Sequence, residues 1–378
     1  MRPDTLHCPL QQRRCGGCAR LSVPYGAQLR AKQRRVEALF PGAKEILAAN
    51  DPLHYRNKII SAFAHDQDGL ISGPYVYGTH FVLPMADCLL ENERAHHIAA
   101  ELMDILRARK IRSWDEDKRT GLVRYSQVRF ARQTGQALVT IVTASPAFPE
   151  GPDIARELKS RCPEVRSVIQ NINPRAGSAV LGFQEKRLLG DGYIEDQMCG
   201  LTFCLSSRAF YQVNSAQAER LYQEALSLCR LTPDDRLADV YCGIGIIGLI
   251  AASQVRSVTG IELNGDAIRL ARQNAEANHV QNATFHNGDA SVMKTLSEKP
   301  TVVILDPPRS GCDTKTISAL VSQAPERICY ISCNIATQAR DVRALTQAGY
   351  QVHAVQPVDL FPMTDHVESV ILMSRVKG

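Results

Sequence analysis

The second half of the chain alternates short apolar segments with longer amphipathic ones. Seven apolar segments have the length of strands and are separated by stretches with helical spacing: RLADVYC, SVTGIEL, ATFHNGD, TVVILDPP, RICYISC, YQVHAV and HVESVILMSRV. Nearly continuous apolar strands that alternate with amphipathic helices are typical of a parallel sheet covered on both faces. We therefore predict an α/β domain over residues 196–378, with a seven-stranded, mainly parallel sheet.

The first half has a mixed pattern. Residues 1–50 form an irregular, cysteine-bearing segment followed by a basic helix over 25–40, whose narrow apolar stripe is Leu29, Val36 and Leu39. Residues 51–195 predict a central α+β domain. Its candidate elements are strands at 56–64, 122–131 and 136–144 and a helix at 93–109.

Composition indicates a soluble globular protein that stays in the cytoplasm. The chain of 378 residues is 44% hydrophobic and 22% charged, and no apolar run approaches the ~20 residues that span a bilayer. The N-terminus is polar and lacks the apolar region of a signal peptide. We therefore expect no membrane association. We also expect the protein to be a monomer.

Positive charge is concentrated at the N-terminal end. Residues 1–60 hold eleven Lys or Arg against four acidic residues, a balance of +7 in a chain whose net charge is +5. A basic end suits a polyanion such as RNA, although a solvated helix face explains the charge equally well. The candidate phosphate contacts are Arg56, Lys58, Arg124 and Arg132. All four lie within 51–195, which we expect to be the RNA-binding domain.

A glycine-rich turn marks a candidate cofactor site. Gly243, Gly245 and Gly248 follow a strand and open a helix, so the backbone can approach a ligand closely. Glu262 ends the next strand, where a carboxylate can bind both hydroxyls of a ribose. This pattern alone fits NAD and S-adenosylmethionine equally well.

The next two strand ends favour S-adenosylmethionine. Asp289 ends the third strand, where it can accept a hydrogen bond from an adenine amino group. Asp306 opens the rigid Asp-Pro-Pro-Arg turn at the end of the fourth strand, where it can meet the ammonium of a methionine moiety. The alternative for either residue is a capping aspartate in a stiff turn.

The fifth strand ends in a candidate nucleophile. Cys333 follows RICYIS and precedes a polar turn, whereas Cys242 and Cys329 fit buried small hydrophobes better. A thiolate that adds to C6 of uracil makes C5 nucleophilic enough to attack a methyl donor. Glu368 is the candidate base for the C5 proton, with His366 as a neighbouring alternative. Cys312 is the rival nucleophile.

These residues together resemble the RNA 5-methyluridine methyltransferase family, whose strings appear in order over the C-terminal half. They are FYQVN (210–214), DVYCGIGIIG (239–248), IELN (261–264), LDPPRSG (305–311), SCNIAT (332–337) and FPMTDHVE (361–368). The resemblance implies a Rossmann-like class I S-adenosylmethionine-dependent domain with Cys333 as nucleophile and Glu368 as base. It assigns five residues to the S-adenosylmethionine site: Gln212, Tyr241, Glu262, Asp289 and Asp306. Some members carry Phe where this chain has Tyr241.

The spacing of four cysteines predicts a metal centre in the N-terminal half. Cys8, Cys15 and Cys18 follow the spacing C-x6-C-x2-C, and Cys88 lies far downstream. Four thiolates can hold either zinc or an iron–sulfur cluster. The resemblance to members that act on ribosomal RNA implies a structural [4Fe–4S] cluster.

The same resemblance implies the substrate. The chain leaves no room before Cys8 for the small β-barrel RNA-binding (TRAM) domain of longer members, as in the members that methylate a hairpin-loop uridine of 23S rRNA. Attack at C6 needs an unstacked base, for which Phe210 and Tyr211 are candidate stacking partners, with core packing as the equal alternative. The alternatives are the same reaction on tRNA, a 5-methylcytidine enzyme, an NAD-dependent dehydrogenase, or a non-catalytic iron–sulfur RNA-binding protein.

Overall fold

The computed structural model describes residues 6–67, 69–85, 87–177 and 179–376. The helices are α1 (Pro9–Gln12), α2 (Tyr25–Glu37), α3 (Glu93–Ala108), α4 (Gly151–Arg161), α5 (Ser215–Cys229), α6 (Ile246–Ala251), α7 (Gly265–Ala277), α8 (Thr314–Gln323) and α9 (Ile335–Gln347). The strands of the first half are β1 (Lys58–Asp66), β2 (Gly69–Gly73), β3 (Val123–Phe130), β4 (Ala137–Thr143), β5 (Val165–Ile172), β6 (Gln184–Leu189), β7 (Tyr193–Met198) and β8 (Leu201–Ser206). Those of the second half are β9 (Arg236–Val240), β10 (Ser257–Glu262), β11 (Ala283–Asn287), β12 (Val302–Leu305), β13 (Arg327–Ser332), β14 (Tyr350–Val358) and β15 (Glu368–Arg375).

The chain divides into two compact units. The first contains 1–22, 51–197 and 204–215, and the second contains 23–50, 198–203 and 216–378. Of the three predicted segments, the first is therefore divided: the cysteine-bearing part belongs to the first unit and α2 to the second. Charge and spacing could not show this, because several contacts of α2 are with residues more than 300 positions away, such as that of Lys32 with Asp359.

The second unit contains the predicted seven-stranded sheet. Its order is β11-β10-β9-β12-β13-β15-β14, and only β15 runs antiparallel to its neighbours. Central strands such as β12 are buried at every position, which agrees with their continuous apolar sequence. The carboxyl ends of β9, β10, β12 and β13 therefore lie along one edge, where open α/β sheets bind ligands.

The first unit contains a six-stranded sheet in the order β2-β1-β3-β4-β5-β6. All its strand pairs are antiparallel except β4 with β5. Helices α3 and α4 cover one face and share an apolar core with it, which includes Ile98, Leu102, Val128, Ile141 and Ile154. The strands and the helix predicted between 56 and 144 are confirmed within two residues at each end.

The apolar stripe predicted on the basic helix is wrong at one position. Val36 is fully buried, but Leu39 lies beyond the end of α2 and is 44% exposed. The buried face contains Lys32 instead, whose ammonium lies 2.5 Å from Oδ1 of Asp359 and 3.0 Å from the carbonyl of Phe361. Asp359 also accepts a hydrogen bond from the Tyr25 hydroxyl. Burial lowers the pKa of Lys32, while the adjacent Asp359 opposes that shift.

We expect Lys32→Met to destabilise the protein strongly. The substitution leaves the fully buried carboxylate of Asp359 without its cation, which costs about 3–5 kcal/mol in a buried pair. Urea denaturation measures the change in the free energy of unfolding. The double variant Lys32→Met with Asp359→Asn is the control and recovers part of the loss. A loss below about 1 kcal/mol for Lys32→Met, as in an exposed ion pair, would contradict this account.

Two arginines on β3 are buried. Arg124 donates to the carbonyls of Asn173 and Arg175 and pairs with Glu116, and Arg129 is only 1% exposed. Arg124 is therefore not a phosphate contact, because its guanidinium is used inside the unit. Side chains alternate along a strand, so residues five positions apart lie on opposite faces, but this pattern does not show that both faces are covered. Within the described residues, no helix is long and apolar enough to cross a bilayer.

Candidate active site

The glycine-rich turn connects β9 to α6 in the second unit. Gly243 and Gly245 adopt positive φ values of 53° and 84°, a region that glycine occupies at little cost. A Cβ at Gly245 would lie 3.0 Å from the ring of Phe285, whereas one at Gly243 would meet no atom within 4 Å. Gly245 therefore serves packing, and the surface over Gly243 is open to a ligand.

Glu262, at the end of β10, lies directly beside this turn. Its carboxylate accepts hydrogen bonds from the backbone N–H of Gly243, at 3.2 Å, and of Asn264, at 2.8 Å. Each carboxylate oxygen retains acceptor capacity for a further donor such as a ribose hydroxyl. Tyr241 precedes the turn with a φ of 68°, and its hydroxyl lies 2.8 Å from that of Thr316.

Asp289 lies at the end of β11, as predicted. Its Oδ1 accepts a hydrogen bond from the N–H of Ser291, and Lys315 lies 3.8 Å from its Oδ2. Hydrogen bonds from Ser291 and the nearby Lys315 lower its pKa. Asp289 is therefore an ionised cap, which is the alternative named for it above, and Oδ2 remains an acceptor.

Three further carboxyl groups influence one another electrostatically. Burial, and then the charge of Asp239, raise the pKa of Asp306 to about 7. Burial also raises the pKa of Asp239 to about 7, with a contribution from Glu262 and opposition from the Gly248 N–H. Burial, and then Asp306, raise the pKa of Glu368 to about 8. We call Glu262, Asp239, Asp306 and Glu368 the carboxylate row.

A cation fits the carboxylate row better than an anion does. The acids repel one another when ionised, so a positively charged ligand favours their ionised forms. Oδ1 of Asp239 is buried and has no hydrogen-bond partner among the described residues. Asp239 begins the string DVYCGIGIIG, but the sequence pattern assigned it no role. Its signal was a carboxylate on the strand that leads into the glycine turn.

Cys333 lies between the end of β13 and the start of α9, where Asn334 caps the helix. Its thiol is half-buried and lines a cavity of about 210 Å³ together with Arg35, Arg309, Ile335 and His366. Burial, and then the charges of Glu368 and Asp306, raise the pKa of the Cys333 thiol, while Arg309 lowers it. The structure thus brings the predicted nucleophile and the predicted base together.

Arg309 is a second functional candidate that the sequence did not single out. Its side chain lies 3.0 Å from the ring nitrogens of His366, and its backbone carbonyl accepts a hydrogen bond from the Asn334 side chain. The guanidinium favours the ionised forms of both Cys333 and Glu368. The available signal was a cation directly after Asp-Pro-Pro at a strand end.

Of the alternatives named above, Cys312 fits its role less well than Cys333, whereas His366 stays an alternative base. Cys312 is 5% exposed, and burial raises the pKa of its thiol to about 12, so it is poorly placed as a nucleophile. Cys242 and Cys329 are buried, as predicted. Burial and Arg309 lower the pKa of His366, which leaves its ring neutral near pH 7.

Gln212 belongs to the first unit, on a segment that also carries Phe210 and Tyr211. The Gln212 carbonyl accepts a hydrogen bond from the side chain of Asn57. Tyr211 is 1% exposed and donates to Asp196, which favours core packing over base stacking. Phe210 is 64% exposed and stays available for stacking.

The four N-terminal cysteines also lie in the first unit. Burial raises the pKa of the Cys18 thiol to about 11, with further contributions from Cys15, Cys8 and Cys88, so the four thiols are neighbours. The N–H groups of Leu90 and Glu91 point at the Cys88 sulfur. Across the described ranges, however, no three His, Cys, Asp or Glu side chains converge closely enough to hold one metal ion. A metal centre here therefore stays a prediction.

The chain is similar in sequence to known RNA methyltransferases. The sequence profile of the tRNA (uracil-5-)-methyltransferase family matches residues 24–376. A protein named as an RNA methyltransferase in Halalkalibacterium halodurans is 35% identical over 98% of this chain and 84% of its own length. Another from Listeria monocytogenes is 37% identical over 95% of this chain and 82% of its own length.

The tRNA (uracil-54, C5)-methyltransferase of Pyrococcus abyssi, solved with S-adenosyl-L-homocysteine, has a similar structure. It matches with a TM-score of 0.81 and 25% identity, over 95% of this chain and 86% of that chain. The fold and the site define an α/β methyltransferase. The chain belongs to the tRNA (uracil-5-)-methyltransferase family, which comprises RNA 5-methyluridine methyltransferases.

Proposed function

We propose that this enzyme transfers a methyl group from S-adenosylmethionine to C5 of a uridine in RNA. The observation that carries the proposal is the pairing of a half-buried thiol, Cys333, with the buried carboxyl group of Glu368, a member of the carboxylate row. The two residues are neighbours because Ser332 of β13 pairs with Ser369 of β15. The sulfonium and ammonium of S-adenosylmethionine supply the cation that this row favours. A dinucleotide would instead bring two negative phosphates to the glycine turn, which argues against the dehydrogenase alternative.

Cys333 and Glu368 act at different stages of the reaction. The Cys333 thiolate adds to C6, and the resulting enolate attacks the methyl group through C5, which releases S-adenosylhomocysteine. The Glu368 carboxylate then removes the C5 proton, and the electron pair of that bond expels the thiolate. The cavity of about 210 Å³ beside Cys333 is smaller than a drug-sized pocket and suits a single pyrimidine ring.

Activity should rise with pH across the neutral range. Both Cys333 and Glu368 act in their ionised forms, and both have pKa values above the ordinary ones, with that of Glu368 at about 8. Below these pKa values each unit of pH raises the ionised fraction about tenfold. We expect kcat/KM for RNA to rise roughly tenfold or more between pH 6 and 7 and to continue rising to pH 8. A flat profile over this range would contradict the proposed roles.

Arg309→Gln should move the rising limb to higher pH. The substitution removes the positive charge that lowers the pKa of both groups, so we expect a loss of about tenfold at pH 7 that shrinks at pH 9. Arg343→Gln, an exposed arginine on α9, is the matched control and should leave the profile unchanged. An equal loss at every pH would assign Arg309 a role other than tuning ionisation.

The proposed substrate is a loop uridine of 23S rRNA, with tRNA as the alternative. Methyl-labelled S-adenosylmethionine, unmodified 23S rRNA and unmodified tRNA distinguish the two when the RNA is digested to nucleosides. Label in 5-methyluridine from 23S rRNA alone supports the first substrate. Label from tRNA alone keeps the chemistry and replaces the substrate, as the Pyrococcus abyssi neighbour would suggest.

For the N-terminal cysteines we propose a structural [4Fe–4S] cluster, with zinc as the alternative. Cys8, Cys15, Cys18 and Cys88 are neighbouring thiols, and N–H groups that point at a cysteine sulfur stabilise a ligated thiolate. Each cysteine of such a cluster binds a different iron, so the thiols need not converge on one point. Cluster ligation by all four would hold the segment around α1 in place.

Metal analysis of anaerobically purified protein tests this proposal. We expect about four irons and four acid-labile sulfides per chain, lost together in the variant Cys15→Ser. Cys162→Ser, which replaces a buried cysteine of the same unit, is the control that retains the metal. One zinc per chain would replace the iron–sulfur assignment with the alternative.

A further inference from the structure

One phenylalanine of the first unit is exposed and has two arginines near its ring. The ring of Phe183 is 74% exposed. The guanidinium carbon of Arg175 lies 4.4 Å from its centroid, and that of Arg208 lies 5.7 Å away. We call these three residues the Phe183 platform.

Hydrogen bonds fix the Phe183 platform from both sides. Arg175 donates to the carbonyl of Leu181 at 3.0 Å, and Arg208 donates to the carbonyl of Phe183 at 3.2 Å. The backbone on either side of Arg208 is held as well, because buried side chains of β3 donate to it. Gln127 bonds the carbonyl of Ser207 at 2.8 Å, and Arg129 bonds that of Ala209 at 2.6 Å.

This arrangement contributes little to folding. An exposed cation–π pair is weak, and a ring that is three-quarters exposed leaves most of its apolar surface in water. The charges around the platform suit a polyanion. Lys186 and Arg187 of the next strand are exposed. The acid directly before them, Glu185, accepts hydrogen bonds from the side chains of Asn171 and Ser207.

We propose that the Phe183 platform binds an unpaired nucleotide of the RNA substrate. The base stacks on the exposed ring of Phe183, and Arg175 and Arg208 contact the adjoining phosphates, the combination that single-stranded RNA sites use. Arg208 is two residues before Phe210, so the platform extends the segment that carries this second exposed ring. The inference rests on the proposed function for its choice of RNA as the ligand.

The test is binding of a labelled single-stranded oligouridine to the full chain, measured by fluorescence anisotropy at several salt concentrations. We expect Phe183→Ala to weaken binding roughly five- to tenfold with an unchanged salt slope, and Phe183→Tyr to restore it. Arg208→Gln should reduce the salt slope by about 0.7, the value for one phosphate of a single strand. Phe81→Ala is the control, because Phe81 is equally exposed at 75% and no guanidinium lies over its ring in the described part of the chain.

The outcomes separate this inference from the proposed function, because binding is measured without turnover. Wild-type affinity in Phe183→Ala would overturn the platform, and so would an equal loss in Phe81→Ala. If the enzyme methylates neither RNA while Phe183→Ala still loses affinity, the proposed function fails and the platform stands. An unchanged melting temperature in Phe183→Ala confirms that the exposed site, and not folding, has changed.

Discussion

Cys333→Ala is expected to abolish methyl transfer, with a loss of at least about 10⁴-fold in kcat. Without the thiolate, C5 of uracil is not activated, and a loss of this size corresponds to about 5 kcal/mol or more of transition-state stabilisation. The thiol is half-buried at the end of β13, so its removal leaves the core intact. The measurement is transfer of labelled methyl to RNA under single-turnover conditions.

Cys312→Ala is the matched control for this experiment. Cys312 lies in the same unit, but its contact with Asp341 is made by its backbone N–H, which alanine retains. We expect nearly full activity in this variant. Full activity in Cys333→Ala, or loss in Cys312→Ala alone, would transfer the nucleophile's role to the rival cysteine.

Glu368→Gln is expected to lower kcat about 10²- to 10⁴-fold, the range for loss of a general base. Glutamine fits the same buried site but cannot accept the C5 proton, so elimination of Cys333 stops. The methylated RNA should then remain bonded to the protein and survive denaturing electrophoresis. Mass spectrometry should find one RNA and one transferred methyl group per chain.

Two further variants decide whether the trapped species has the proposed origin. Cys333→Ala combined with Glu368→Gln removes the attachment point and should give no adduct. His366→Gln tests the neighbouring base that the sequence left open. Accumulation of adduct in His366→Gln, but not in Glu368→Gln, would assign the proton transfer to the histidine.

The sheet of the second unit and the ends of its strands could be predicted from sequence. Strand and helix periods differ, so an apolar run such as TVVILDPP is recognisable on its own, and parallel strands bring their carboxyl ends to one edge. The positions of Asp306 and Cys333 follow from that rule. The pairing of Cys333 with Glu368 does not, since β15 enters the sheet beside β13 from the end of the chain.

Features that depend on distant contacts could not be predicted. Lys32 is buried because Asp359 meets it from a position 327 residues away, and a basic helical pattern carries no sign of that partner. Arg124 likewise contacts carbonyls about fifty positions along the chain. In both cases the side chain's charge suggested a surface, whereas hydrogen-bond partners from other elements allow it to be buried.

In the proposed mechanism, the carboxylate row connects the cofactor to the chemistry. Asp306 raises the pKa of Glu368, and Glu368 raises that of the Cys333 thiol, so the reacting groups are held partly protonated until a cation arrives. Binding of S-adenosylmethionine beside Asp306 would favour ionisation of the base and then of the thiol. The methyl donor would thereby help to activate the site in which it reacts.

The central claim is that methyl transfer occurs at C5 of uridine by substitution of the C5 hydrogen. The most direct measurement uses RNA labelled with tritium at C5 of uridine and methyl-labelled S-adenosylmethionine in one reaction. The account predicts one tritium released to water for every methyl group incorporated, with neither event in Cys333→Ala. Methyl incorporation without tritium release would place the methyl group on another atom and contradict the account.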